Sequence, residues 1–187
     1  MQGAHALKAD LLGLVREVQS LPYVWPCPPD AASARADRAG SCASKHALLA
    51  EELAAIGIES VPLLVIGPLV PAVLSAEPGY ALGRHLVEVH ECLTVLTPWA
   101  GPLRVDITWD ERLIERGLRG TLNWDGQSDM ALAVGEAGPG WSVPRDRLRP
   151  AKEALRARLY AHGERKTRDE LLALLAARFA RWRSGAD

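Results

Sequence analysis

The run GSCASKHALLAEELAAIGI, residues 40–58, limits the possible folds more than any other stretch. As a helix, residues 41–56 are apolar on almost every side, and such a helix belongs in the middle of a fold, not on its surface. Ser41 reads as its N-cap and Gly57 as its C-terminal stop. Cys42 falls in the first turn, where two readings compete. It is either a small packed core residue or a thiol placed where free backbone N–H groups and the positive end of the helix dipole favour the thiolate. The same N–H groups would suit an oxyanion. Lys45, one turn on, would add positive potential.

A buried helix needs neighbours. Residues 4–19 carry Leu7, Leu11, Leu14, Val15 and Val18 at helical spacing. PYVWPCPPD (22–30) holds four prolines, which exclude a helix interior or a central strand. ESVPLLVIG (59–67) reads as a strand and VPAVLSAEPGYALG (70–83) as a loop. HLVEVHECLTVL (85–96) and LRVDITW (103–109) read as two strands of an antiparallel hairpin closed by TPWAGP (97–102). Residues 110–119 follow as a short helix, and 122–141 as turns with a short strand. Residues 147–162 and 167–183 read as two helices; Thr167 with Glu170 fits a capping box, and Leu171, Leu174, Leu175, Phe179 and Trp182 form one apolar stripe. The expected fold class is α+β. Residues 1–144 form a core with an N-terminal helix, and residues 145–187 form a basic helical extension packed on it.

Charge separates along the chain. Residues 145–183 hold twelve Lys/Arg against five Asp/Glu, whereas 1–144 hold ten against seventeen. A basic helical pair laid on an acidic body accounts for this. No aromatic or RNA-binding signature interleaves the basic residues, which argues against nucleic acid and leaves an acidic partner as the rival use of these helices. VPLLVIGPLVPAVL carries three prolines and is too short to span a membrane, so no membrane partner is expected. The segment MQGAHALKADLLGLV has no basic region ahead of an apolar run, and the three cysteines lack CxxC spacing. Both point to a reducing cytoplasm without a disulfide framework.

A thiol nucleophile needs a base, and the base needs a group to orient it. The hairpin offers His85 and His90 on its first strand and Asp106 on its second. If the turn centres on 98–101, Leu96 faces Pro102 and partner numbers sum to 198. His90 and Asp106 then lie diagonally on one face, while His85 has the opposite parity. A one-residue bulge would exchange the two histidines, so His85 stays in reserve as the base. His46 is four residues after Cys42 but has no evident third group to fix its ring. A metal site from Cys42, His90 and Cys92 lacks finger-like spacing, and no metal or other cofactor is expected. Tyr23 and Trp25 are candidates to line a cleft or donate to an oxyanion, with core packing as the alternative. WDGQSD (124–129) reads as a turn, with Trp124 or Asp125 as candidate substrate contacts.

Three segments in order carry a resemblance. GSCASKHALLAEELAAIG (40–57) resembles the cysteine motif of transglutaminase-like proteins, and VHECLTV (89–95) and RVDITWD (104–110) resemble the histidine and aspartate motifs that follow it. With LVEVHECLTV (86–95) and WDGQSDMALAV (124–134), the chain is similar to a bacterial group of such proteins of unknown substrate, over about residues 20–135. Cys92 stands where an aromatic often follows the histidine, and Ile107 where proline often follows the aspartate. The resemblance implies a papain-like core and a Cys42–His90–Asp106 triad for acyl transfer. The substrate would be an amide or peptide-like molecule, a protein included. Water as acceptor gives hydrolysis and an amine gives transamidation. A non-catalytic interaction module on the same fold is the alternative.

Overall fold

Seven of the fourteen residues of α3 (Cys42–Ala55) are buried, among them three polar ones, Ser44, Lys45 and His46. The computed structural model describes residues 2–68, 87–135, 138–160 and 164–185. Leu49 and Leu53 of α3 are wholly buried against Leu11, Val15 and Val18 of α1 (Gln2–Ser20) and against Leu93, Val95, Leu103 and Val105 of the sheet. Each such side chain stabilises the fold by about 2 kcal/mol. Gly57, at φ +78°, ends the helix: its N–H bonds the Ala54 carbonyl and the Ile58 N–H bonds that of Leu53. A side chain there would be strained in this left-handed conformation.

The sheet has four antiparallel strands in the order β3-β2-β1-β4: β1 (Ser60–Pro68), β2 (Val87–Thr97), β3 (Gly101–Val105) and β4 (Trp141–Ser142). β2 and β3 pair as Leu96 with Pro102 and Leu93 with Val105, the register expected from the turn. β3 ends at Val105, so Asp106 lies one residue beyond the strand. The short strand expected within 122–141 is placed at its far end, where Trp141 pairs with Leu64. The expected loop 70–83 and His85 lie outside the described residues.

The remaining helices are α2 (Ala31–Asp37), α4 (Glu111–Glu115), α5 (Leu148–Leu159) and α6 (Glu164–Ser184), with a 3-10 turn, Arg145–Arg147, leading into α5. α2 has no counterpart in the sequence reading. Its seven residues are too few to show a period; it is capped by Asp30, which accepts the Ser33 N–H at 2.8 Å, and anchored by buried Ala31 and Ala34. α6 starts at Glu164, three residues before the expected capping box, so Thr167 is not its N-cap. Glu164, Arg165 and Lys166 are good helix formers and extend the helix backwards.

The C-terminal helices close a second core. Leu171, Leu172, Leu175 and Phe179 of α6 pack on Tyr23, Trp109, Leu113 and Leu118. The basic helices also meet the acidic body at specific pairs. Arg183 binds Asp110 at 2.6 Å, Arg156 binds Glu88 at 2.7 Å, Lys152 binds Glu91 at 3.1 Å, and Arg168 also binds Glu88. No helix among the described residues is long and apolar enough to cross a membrane.

Candidate active site

The proline-bearing segment 22–30 fixes the start of α3. Gly40 N–H bonds the Pro22 carbonyl at 3.0 Å and Val24 N–H bonds the Gly40 carbonyl at 3.1 Å, a short parallel bridge. Gly40 must lack a side chain, because a Cβ would collide with the Ser44 hydroxyl. That hydroxyl accepts the Ser41 N–H at 2.9 Å, and Cys27 Sγ lies 3.2 Å from the same N–H. Cys42 follows as the first residue of the helix. It is half-buried and lines a cleft of about 550 Å³.

His90 and Asp106 meet across the open end of the β2–β3 hairpin. His90 Nε2 is 2.7 Å from Asp106 Oδ2, with the Asp side chain almost wholly buried. The same oxygen accepts Ala133 N–H at 2.8 Å, and Oδ1 accepts the Thr108 N–H at 3.1 Å and hydroxyl at 2.7 Å. A carboxylate with this many donors stays ionised and fixed in orientation. Cys42 and His90 line the same cleft, close enough for each to shift the other's pKa. With Nε2 engaged by Asp106, Nδ1 is the ring nitrogen that the carboxylate leaves available.

The charges reinforce one another. Burial depresses the His90 pKa, but the Asp106 charge and hydrogen bond, and then Cys42, raise it to about 10. Burial raises that of Cys42, but the Lys152 ammonium, then the hydrogen bond and charge of His90, outweigh it and lower the net value. Asp106 is held well below the usual carboxylate range, since the His90 charge outweighs its burial. The surroundings favour the thiolate of Cys42 and the charged form of His90, and the cleft reaches the sulfur.

His46 is fully buried and both ring nitrogens are engaged by the backbone: Nδ1 with the Cys42 carbonyl at 2.7 Å, Nε2 with the Ile107 N–H at 3.0 Å. Nε2 must accept, so Nδ1 carries the hydrogen and donates. Burial lowers the pKa to about 4, which keeps the ring neutral. His46 therefore ties the first turn of α3 to the residue after Asp106 and holds sulfur and carboxylate in register.

Tyr23 and Trp25 line the cleft. Burial, and then the nearby Cys42, raise the Tyr23 pKa and keep its hydroxyl protonated. Lys45 and Trp124 are placed elsewhere. The Lys45 ammonium is wholly buried and donates to the carbonyls of Gln19, Leu21 and Thr108 at 3.0, 2.9 and 3.1 Å. It joins α1, α3 and the segment after β3 rather than facing the cleft. Trp124 packs in the first core and donates to the Ser128 carbonyl at 2.6 Å. Cys92 is buried with Val65, Leu132 and Val134, and burial pushes its thiol pKa up. Among the described residues no three His, Cys, Asp or Glu side chains gather as a metal site.

Lys152 is the residue that sequence reasoning missed. It is buried, lines the cleft and bonds Glu91, the neighbour of His90. The only signal was a Lys inside an otherwise solvated-looking basic helix. Comparison with protein-family models, curated proteins and solved structures gives no match.

Proposed function

We propose that the chain is a thiol acyl-transfer enzyme of the transglutaminase-like, papain-like kind, acting on an amide or peptide-like substrate. The observation that carries this reading is the placement of Cys42, first residue of α3, in the same cleft as His90, whose ring is held at 2.7 Å by buried Asp106. The Cys42 sulfur adds to the substrate carbonyl carbon. The oxyanion that forms is held by the Cys42 N–H, which has no acceptor within its helix, with the Tyr23 hydroxyl and the Trp25 indole as the cleft's candidate second donors. His90 gives its proton to the departing amine as the C–N bond breaks, leaving a thioester on Cys42. A water or amine then loses a proton to His90, attacks the thioester carbonyl and releases the thiolate. Asp106 keeps the ring oriented and stabilises its charged form. Hydrolysis and transamidation differ only in this second nucleophile.

The test is acylation by p-nitrophenyl acetate, followed by mass measurement of the intact protein and of its peptides. One acetyl group on Cys42, followed by its slow release, supports the enzyme. Its absence in Cys42→Ser and marked slowing in His90→Gln would tie it to the pair. No acetylation of Cys42 would leave the interaction module as the better reading.

A further inference from the structure

One wall of the cleft is a row of cations. Arg145, Arg149, Lys152 and Arg156 all line it, from the 3-10 turn into α5. Their spacing of four, three and four residues places them on one side of a helix. The inner two are neutralised within the protein. Lys152 Nζ is 3.1 Å from Glu91, and Arg156 binds Glu88 at 2.7 Å and Glu153 at 3.1 Å. The outer two, Arg145 and Arg149, are exposed, and neither has an ion-pair partner among the described residues.

The facing wall carries the carboxylates Asp30 and Glu51. Glu51 shares the Arg35 guanidinium with Glu52, at 3.0 and 2.9 Å. Asp30 accepts the Ser33 N–H at 2.8 Å and the Ser33 hydroxyl at 3.1 Å as the cap of α2, though its charge is felt by Arg149. Positive charge is thus concentrated on the α5 side of the mouth, where Arg145 and Arg149 have no ion pair among the described residues, and negative charge on the facing side. At the inner end the Lys152 ammonium, more than nine-tenths buried, has three protons and a single carboxylate partner, Glu91, which leaves protons for a ligand in the cleft.

We propose that this wall selects an acyl donor carrying a carboxylate near the attacked carbonyl, as in an acidic peptide, with Arg145 and Arg149 as its specificity-determining residues and Lys152 at the inner end. The assignment rests on Cys42 being the nucleophile. An anionic substrate is drawn to the unpaired guanidiniums, which bind carboxylates in a forked geometry. A cationic or purely apolar donor of the same size gains nothing from them.

Iodoacetate and iodoacetamide form the same thioether bond with loss of iodide and differ in size very little, but only the first is anionic. The measurement is the ratio of their rates at Cys42 in the full chain, read by peptide mass against the ratio for the neutral thiol 2-mercaptoethanol. The ratio corrects for changes in the sulfur's own reactivity. The expected ratio is about tenfold above that reference, falling about threefold in the double variant Arg145→Gln, Arg149→Gln and falling also with added salt. Both side chains are exposed, so the fold tolerates the change; Arg149→Glu should lower the ratio further. A ratio no higher than the reference, or one that the variants leave unchanged, overturns the proposal. Slow labelling of Cys42 by iodoacetamide itself removes the nucleophile, and with it both this assignment and the proposed function.

Discussion

His90 Nε2 lies 2.7 Å from Asp106 Oδ2, one residue past the end of β3. That contact turns a strand histidine into a charged partner for the Cys42 sulfur. The carboxylate also bonds Ala133 N–H and both donors of Thr108, so three separate chain segments fix its position. His46, bridging Cys42 and Ile107, sets the distance between the two halves of the site. The cleft wall on the far side comes from α5, so the C-terminal helices are part of the site and not an appendage to it.

Asp106→Asn should raise the apparent pKa of the Cys42 thiol, because His90 loses the charge that keeps it protonated. Ultraviolet thiolate absorbance against pH, with Cys27 and Cys92 replaced, reads this directly. Asp106→Ala should also cost about 3–5 kcal/mol in urea unfolding, since it leaves a buried charge and several donors unpaired. An unshifted titration in the Asn variant would show that the carboxylate only braces the fold.

Lys152→Met should raise the Cys42 pKa, and Lys152→Arg should restore most of the difference. The ammonium is the largest influence favouring the thiolate, and its own pKa is raised because Cys42 and Glu91 outweigh burial. A purely structural lysine would lower stability in the Met variant without moving the titration.

Lys45→Met should destabilise the protein by about 2–4 kcal/mol while leaving the pKa of Cys42 nearly unchanged. Three buried carbonyls lose their donor, and each unsatisfied group costs about 1–3 kcal/mol, partly relieved by relaxation. Denaturant unfolding gives the first quantity and alkylation against pH the second. A large shift in Cys42 reactivity would return Lys45 to the site.

The pH dependence of stability should carry the mark of His90. Its folded pKa, about 10, exceeds the ordinary 6.5, so it stabilises the fold fully below pH 6.5 and loses that contribution as pH rises toward about 10. Wild type should therefore lose more stability than His90→Gln over that window in urea titrations. Equal pH slopes for the two proteins would show that the ring is not charged in the folded state.

Much of this arrangement was legible in the chain. The all-round apolar pattern of residues 41–56 marked the central helix, and the turn at 98–101 fixed the register that brings His90 to Asp106. Short elements were not legible: α2 is held by a cap and two buried alanines, too little for a periodic signal. Tasks set by tertiary packing were also hidden. Nothing in the sequence distinguishes Lys45, which bonds three carbonyls, from Lys152, which lines the cleft; both look like ordinary helix lysines. Trp124, a candidate contact by position, turns into the core because its indole finds the Ser128 carbonyl. Partners more than a hundred residues apart, such as Arg183 and the Tyr23 carbonyl, leave no local trace.

The central claim is that Cys42 is held as a thiolate by His90. Its most direct test is the rate of iodoacetamide labelling at each of the three cysteines across pH, followed by peptide mass. The account predicts that Cys42 reacts at a rate independent of pH from well below an ordinary thiol pKa of about 8.5 up to about 10, far faster than Cys27, with buried Cys92 slowest. A Cys42 rate that rises only through the ordinary thiol range, level with Cys27, would contradict it.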